Sequence, residues 1–292
     1  MERDALGWKI QTGSGLDNAM REFIRFGWGS NSDRFPGPQP VSIERVHMKQ
    51  LKSVPYLVCE KNDGVRNMLV CFEFETKKIC AFVNRAFEAR ITTLAVPRGT
   101  ILDGEMMSDV FLVYDAVLIK GENVSRQPLT ERLQKANQMC KTIVGPIKVR
   151  TKPMFPMSEI QKVIDRLDDK TDGMIFTPVN EPVRMGTHET LFKWKPRRDI
   201  TIDFLCDIDG TVDGKPVLGL FIQPRHYITT PVGFSLDLVG KIVECGYGES
   251  GWYLIRERPD KTYPNNKRTY ERTIVNIREN IQANEFILCN SK

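Results

Sequence analysis

No apolar run in this chain reaches the roughly 18 residues that a membrane-spanning helix requires, so a helical span is not expected. The start, Met1-Glu2-Arg3-Asp4, has no apolar core, so secretion is not expected either, and the chain reads as intracellular, in the nucleus or the cytoplasm. Histidine is scarce: His47, His188 and His226 are the only three and lie far apart, which leaves neither a zinc site nor a Ser-His-Asp system in view. The seven cysteines are an odd number and form no Cys-x-x-Cys pair. Cys59, Cys71 and Cys80 sit in apolar, strand-like runs and read as buried free thiols, not as a disulfide framework. A Gly-x-Gly-x-x-Gly fingerprint and a His-Cys-x5-Arg phosphatase loop are both missing, as are repeats and low-complexity segments.

What is present is an ordinary globular mixture, 41% hydrophobic and 27% charged. The net charge of +5 suits a polyanionic partner without requiring one. A weakly amphipathic stretch with Met20, Phe23 and Ile24 leads into a Gly/Pro loop, Phe35-Pro36-Gly37-Pro38-Gln39-Pro40. From Val41 strands and helices alternate irregularly. Residues 67–75 and 78–84 predict a hairpin around Thr76-Lys77, and residues 109–118 another strand. A helix is expected over 130–141 with Thr130 as N-cap, and another over 158–167, where Ser158 and Gln161 have capping-box spacing. After Pro196-Arg197-Arg198 the texture changes. Residues 201–252 read as short strands with Gly-rich turns, the size of a small barrel such as an OB-fold, and a helix over 269–280 follows.

Lys61-Asn62-Asp63-Gly64-Val65-Arg66 is the most informative stretch. It follows the apolar run Tyr56-Leu57-Val58-Cys59, so a strand would deliver a lysine, an Asp-Gly turn and an arginine to one place. An amine attacks only when neutral, an ordinary lysine with a pKa of about 10.4 is protonated, and neighbouring cations favour the neutral form, which can then attack an electrophile covalently. Taken alone, the hexapeptide could also be a turn flanked by surface cations. Further along, Ile101-Leu102-Asp103-Gly104-Glu105 reads as a strand ending in acidic residues, where a carboxylate could take a ribose hydroxyl. Tyr114 sits at an alternating position of a strand, suited either to a core or to stacking on a base. Asp172, in Thr171-Asp172-Gly173-Met174-Ile175-Phe176, could bind a divalent metal. Lys193 and Lys195 stand at i and i+2, which on a strand places both on one face, as an α-phosphate and its leaving pyrophosphate need. Arg256-Glu257-Arg258-Pro259-Asp260-Lys261 is a charged cluster at the end of the small barrel.

In this order the segments resemble the motifs of the mRNA capping guanylyltransferases, within the covalent nucleotidyltransferases that also include the ATP-dependent polynucleotide ligases. Lys61 to Arg66 resembles motif I, Leu102 to Glu105 motif III, and Phe111 to Val117 motif IIIa. Thr171 to Ile175 resembles motif IV, Leu191 to Pro196 motif V, and Arg258 to Lys261 motif VI. Within the family the likeness is nearest to the compact stand-alone enzymes of large algal DNA viruses. It implies an α+β fold: a nucleotidyltransferase domain of antiparallel sheets with flanking helices over 1–198, an OB-fold lid over 199–268, and a helix over 269–288 packing back onto the first domain. It implies that Lys61 carries GMP covalently, taken from GTP with Mg²⁺ or Mn²⁺, and passes it to 5′-diphosphate RNA as the cap. By the same resemblance Arg66, Arg85 and Glu105 hold ribose and phosphate. Tyr114, where the family often has Phe, stacks on guanine, and Lys152 in Thr151-Lys152-Pro153 reads the base. Asp172 organises the metal, Lys193 and Lys195 bind the α-phosphate, and Arg258, Asp260 and Lys261 reach the β- and γ-phosphates. A separate RNA triphosphatase and cap methyltransferase would supply the flanking steps.

Three other readings compete. A polynucleotide ligase shares the lysine motif, but Leu191 to Pro196 followed by Thr201-Ile202-Asp203-Phe204 looks like the capping branch. Asp207-Ile208-Asp209-Gly210-Thr211 matches a haloacid dehalogenase phosphatase motif, yet only short strands and one helix follow it. Gly210 to Lys215 mimics a phosphate-binding loop with too short a spacing and a Lys-Pro end. A catalytically dead binding module is disfavoured because every charged motif position is filled.

Overall fold

The computed structural model describes residues 3–4, 6–168 and 171–290. Among them no helix is long and apolar enough to cross a membrane, and all seven cysteines are free and buried. The chain folds as two units, Met1–Val41 with Leu51–Lys193, and Ser42–Gln50 with Trp194–Lys292. It passes from one to the other at 41/42, 50/51 and 193/194.

The first unit contains α1 (Gly15–Trp28), β1 (Gln39–Ser42), β2 (Tyr56–Glu60), β3 (Val65–Phe74), β4 (Lys77–Asn84), β5 (Ala89–Ile91), β6 (Thr100–Met106), β7 (Val110–Ile119), α2 (Leu129–Cys140), β8 (Lys148–Thr151), β9 (Met174–Pro178) and β10 (Thr187–Trp194). One sheet runs in the order Arg3–Asp4, Gly7–Lys9, β5, β4, β3, β6, β7, Glu122–Asn123, with β8 laid parallel along β7. A second sheet runs Phe155–Pro156, β2, β9, β10, β1. The larger sheet is buried on both faces because a helix covers each. On one face Met20, Ile24 and Trp28 of α1 pack on Met68, Val70, Phe72, Ile101 and Val117. On the other, Ala136, Met139 and Cys140 of α2 pack on Leu69, Leu102, Phe111, Val113 and Val149. α1 begins where Ser14 accepts a hydrogen bond from the Asp17 N–H (3.2 Å) and stops at left-handed Gly29.

Three local expectations shift. The hairpin turns at Glu75-Thr76, whose φ angles are 45° and 65°, one residue earlier than Thr76-Lys77. α2 starts after Pro128, so Thr130 lies inside its first turn and is not the cap; proline's fixed φ already suits a helix start. The helix expected over 158–167 is a 3-10 turn, Met157–Glu159, followed by a single α-turn, Gln161–Ile164, and Ser158 caps nothing.

The second unit is built on β11 (Thr201–Val212), β12 (Lys215–Ile222), β13 (His226–Thr229), β14 (Lys241–Gly248) and β15 (Gly251–Glu257), ordered β13-β12-β11-β14-β15 and all antiparallel. Alternate residues of β11, namely Ile202, Phe204 and Cys206, form its core with Leu220, Ile222, Val243 and Cys245. α3 (Lys267–Glu279) starts at Asn266, which accepts the Thr269 N–H at 2.9 Å. Tyr270 of α3 packs on Phe204 and Trp252. Asn276 Nδ2 donates to the Ile43 carbonyl (2.6 Å), and Arg45 pairs with Glu285 (2.6 Å). The fold is therefore α+β and mostly sheet, with a five-stranded sheet of OB type at its C-terminal end. The phosphatase-like motif lies within antiparallel β11, where Asp207 is paired with Arg225 (2.6 Å). The phosphate-loop look-alike is the β11–β12 hairpin turn, with Asp213 and Gly214 at positive φ.

Candidate active site

β2 and β9 pair antiparallel, Cys59 opposite Ile175. Past the strand ends the ladder continues: the Lys61 N–H donates to the Gly173 carbonyl (2.7 Å) and the Asp172 N–H to the Lys61 carbonyl (2.8 Å). Gly173 has φ 113°, a conformation side chains disfavour. Backbone pairing thus sets Lys61 beside Asp172, and their side chains form an ion pair. Sequence reading expected Arg66 as the charged neighbour of Lys61. The group in contact is instead a carboxylate, and attack by the amine requires that ion pair to open.

Lys61 lines a cavity of about 210 Å³ between the two sheets of the first unit. Arg66, Arg85, Glu105, Tyr114 and Lys152 line it as well, so six residues expected at the site come together there. Cys59, Ile175 and Thr177 supply the wall from the second sheet. The Asp-Gly turn of motif I is pressed against β6: the Gly64 N–H donates to Glu105 Oε1 (3.1 Å). A Cβ on Gly64 would lie 2.6 Å from Glu105 Cγ and 2.8 Å from the Met106 carbonyl oxygen, so only glycine allows this approach.

The acidic segment 101–105 lies within strand β6, which runs one residue further, to Met106, and Asp103 and Glu105 share one face. In β7 a β-bulge makes Tyr114 the extra residue, since Asp103 pairs with Asp115 but Gly104 pairs with Val113. The bulge resets the alternation, so both Tyr114 and Asp115 line the cavity.

Beneath the cavity, fully buried Asp103 accepts Arg66 Nε (3.1 Å), Arg66 Nη2 (2.5 Å) and the Tyr114 hydroxyl (3.0 Å). Arg66 also donates Nη1 to the Pro38 carbonyl (2.5 Å) and lies over the rings of Phe35 and Tyr114, 5.1 and 5.7 Å from their centroids. Burial works against the Arg66 charge, but Asp103 overrides it and holds the guanidinium more firmly protonated than usual. Burial, and then the Asp103 charge, push the Tyr114 phenol well above its ordinary value, so it stays a hydrogen-bond donor. Lys152 is buried with Nζ 3.4 Å from Glu105, while Arg85 is exposed in the turn after β4.

Several of these groups escaped the sequence reading. Asp103 was seen in its motif but given no role. Arg132 is buried and makes a two-pronged pair with Asp115 (2.6 and 2.9 Å). Its signal is an arginine on the apolar face of a helix, in line with Leu129, Ala136 and Met139. His188 Nε2 lies 3.2 Å from Glu181, and burial holds its pKa below the usual histidine value even though Glu181 opposes this.

Lys193, Lys195, Arg258, Asp260 and Lys261 are not among the residues that line the cavity. Lys193 is on β10 and Lys195 just beyond its end. Arg258, Asp260 and Lys261 belong to the second unit. There Arg258 pairs with Asp203 (2.9 Å), Asp260 (2.9 Å) and Glu244 (3.5 Å). The Arg258 bond draws Asp260 down to about 2. Arg256 shares Glu244 with Arg258, at 2.7 Å.

No group of three or more His, Cys, Asp or Glu side chains is arranged to hold a metal among the described residues. A hard divalent cation suits the site nonetheless, because magnesium typically takes one or two carboxylates, here Asp172, and fills its shell with phosphate and water oxygens.

Two family models match the chain: the mRNA capping enzyme catalytic domain over residues 2–197 and the mRNA capping enzyme C-terminal domain over residues 201–287. The mRNA-capping enzyme subunit alpha of Schizosaccharomyces pombe is 28% identical, over 89% of this chain and 80% of that protein. The mRNA-capping enzyme of Danio rerio is 27% identical over 79% of this chain, which spans only 45% of that protein. A solved mycobacterial DNA ligase D, complexed with ATP and MES, is 13% identical and overlays with a TM-score of 0.45 over 78% of this chain and 96% of that one. With matching models running from residue 2 to 197 and from 201 to 287, the chain belongs to the mRNA capping enzyme family.

Proposed function

We propose that this chain is a GTP:RNA guanylyltransferase working through a lysyl-GMP intermediate on Lys61. The observation that carries this reading is the position of Lys61: paired with Asp172 at the wall of a cavity that also holds Glu105, Tyr114 and Lys152. In the first step Lys61 leaves Asp172, gives up a proton and attacks the α-phosphorus of GTP. A P–N bond forms, the P–O bond to the leaving group breaks, and pyrophosphate departs. In the second step a terminal oxygen of a 5′-diphosphate RNA attacks the same phosphorus, the P–N bond breaks, and the lysine regains its proton.

Asp172 would hold a divalent cation, magnesium or manganese, which when bound neutralises charge on the phosphates. Tyr114 offers a ring held in orientation by Asp103 for stacking on the base, and Lys152 offers a donor to a guanine carbonyl. Arg66, Arg85 and Glu105 serve ribose and phosphate, Lys193 and Lys195 the α-phosphate, and Arg258, Asp260 and Lys261 the leaving pyrophosphate. A separate RNA triphosphatase would supply the diphosphate end and a methyltransferase would finish the cap.

The test is covalent labelling with α-labelled GTP or ATP and a divalent cation, read on a denaturing gel. GTP is expected to label the wild type, and Lys61→Ala and Lys61→Arg are expected to stay unlabelled, since arginine does not deprotonate in proteins. Label surviving in Lys61→Ala overturns the mechanism, and ATP labelling as well as GTP moves the chain to ligase chemistry.

A further inference from the structure

We infer that the edge strand β8 carries the backbone of the acceptor RNA toward the reaction centre, with Lys148 and Arg150 as its phosphate contacts. The inference rests on the guanylyltransferase reading and adds to it the path of the second substrate. β8 pairs in parallel with β7, Lys148 opposite Val110 and Arg150 opposite Leu112. The Lys152 N–H continues the ladder to the Val113 carbonyl (2.7 Å). Odd-numbered Ile147 and Val149 join Phe111 and Val113 in the core under α2, and Thr151 Oγ1 bonds Asn137 of that helix at 3.1 Å. The even-numbered residues therefore face the other way, with Tyr114 and the cavity.

Three cations, Lys148, Arg150 and Lys152, thus form one file on the cavity side of the sheet. Lys152 at its inner end is buried in the cavity wall, whereas Lys148 and Arg150 are exposed. The row that holds Arg150 and Leu112 continues across the sheet to Glu105, which accepts the motif I turn next to Lys61. The file therefore leads outward from the cavity wall.

Some exposed cations of this chain are tied to a carboxylate, as Arg98 is to Glu73 and Arg225 to Asp207. Lys148 and Arg150 enter no ion pair among the described residues. Across the ladder they meet the apolar side chains of Val110 and Leu112. Alternate strand residues recur about every 6.6 Å, a step comparable with that between successive phosphates of an extended single strand. A solvated edge strand needs cations only to prevent edge-to-edge pairing. It does not need them in register with a buried lysine of the cavity.

The test uses the full chain with Lys148→Gln and Arg150→Gln together, and a second variant with Lys148→Glu and Arg150→Glu. Both are expected to form enzyme-GMP from GTP within twofold of wild type. Transfer of GMP to a 5′-diphosphate RNA of twenty nucleotides, at subsaturating RNA, should slow about tenfold, and more in the glutamate variant. The slope of log affinity against log salt should become shallower by about 1.4, from two single-strand phosphate contacts. Transfer to a 5′-diphosphate mononucleotide should be unchanged. Normal labelling with wild-type transfer and salt slope overturns the inference, as does an equal loss with the mononucleotide, which would place the cations at the diphosphate end. A wild type that never labels with GTP condemns the guanylyltransferase reading itself, and so the two failures are distinguishable.

Discussion

Two arginines of this chain are gripped by carboxylates in opposite ways. Arg66, in the first unit, and Arg258, in the second, have equally covered side chains, 16% exposed each. The Arg66 partner Asp103 is 0% exposed and is pinned further by Tyr114, whereas of the Arg258 partners Asp203 and Glu244 are 12% and 14% exposed and Asp260, two residues on in a loop, is 61% exposed. A buried pair is fixed because neither charge can be released without the other. A pair with an exposed member exchanges readily, because solvent screens the charge that is freed. On the proposed reading, the contrast suits one site preformed around a nucleotide and one that would exchange Asp260 for an arriving phosphate.

Mutation of the carboxylates sharpens this contrast most. Asp103→Ala strands a buried guanidinium and is expected to destabilise the first unit by about 3–5 kcal/mol, read by denaturant unfolding. Asp260→Ala should leave the unfolding midpoint close to wild type. Equal losses in the two variants would erase the distinction.

Next in size is the effect of Arg258→Ala and Lys261→Ala. Pyrophosphate exists only in the first half-reaction, so lysyl-GMP formation should fall about a hundredfold in each. GMP transfer from purified enzyme-GMP, chased with 5′-diphosphate RNA in a single turnover, should stay near the wild-type rate. Normal labelling with a failed chase would assign this cluster to RNA instead.

Tyr114→Phe is a smaller probe. It removes one hydrogen bond to Asp103 and should cost about 0.5–1.5 kcal/mol in stability. The apparent affinity for GTP in the labelling reaction should fall in parallel, while the ring remains. A variant with wild-type stability and affinity would show that the phenol does not hold the platform.

The smallest effect is titration of His188. Burial holds its folded pKa below the ordinary histidine value of about 6.5, so the folded state favours the neutral ring. The stability this contributes is present above about 6.5 and is lost as the pH falls through the lower folded value. Thermal unfolding of the wild type should therefore decline on acidification below pH 6.5 more steeply than that of His188→Gln. Parallel pH profiles would remove His188 from the account.

The strands and their residues were largely legible because apolar runs such as 67–74 and 110–118 are long and bounded. The signature lysine, its flanking strand and the second acid-glycine unit were legible for the same reason, as local patterns. What was not legible came from pairing across the sheets. Nothing in Val113-Tyr114-Asp115 announces a bulge, because it arises from the register against β6. Asp103 could not be separated from Glu105 without knowing that one is sealed by Arg66 while the other meets the cavity. The capping-box spacing at Ser158 misled because the preceding Pro156 and the sheet pairing of Phe155–Pro156 set the entry to that turn.

The excursion of residues 42–50 into the second unit also sets a schedule for synthesis. Ile43 and Arg45 leave the ribosome early, but the partners that fix them, Asn276 and Glu285, follow 233 and 240 residues later. At about 5–20 residues per second, that interval is on the order of ten to fifty seconds. The sheets around Lys61 have all their strands by residue 194. The cavity around Lys61 can therefore assemble while the other unit still waits, with residues 42–50 held in reserve, for α3 to emerge.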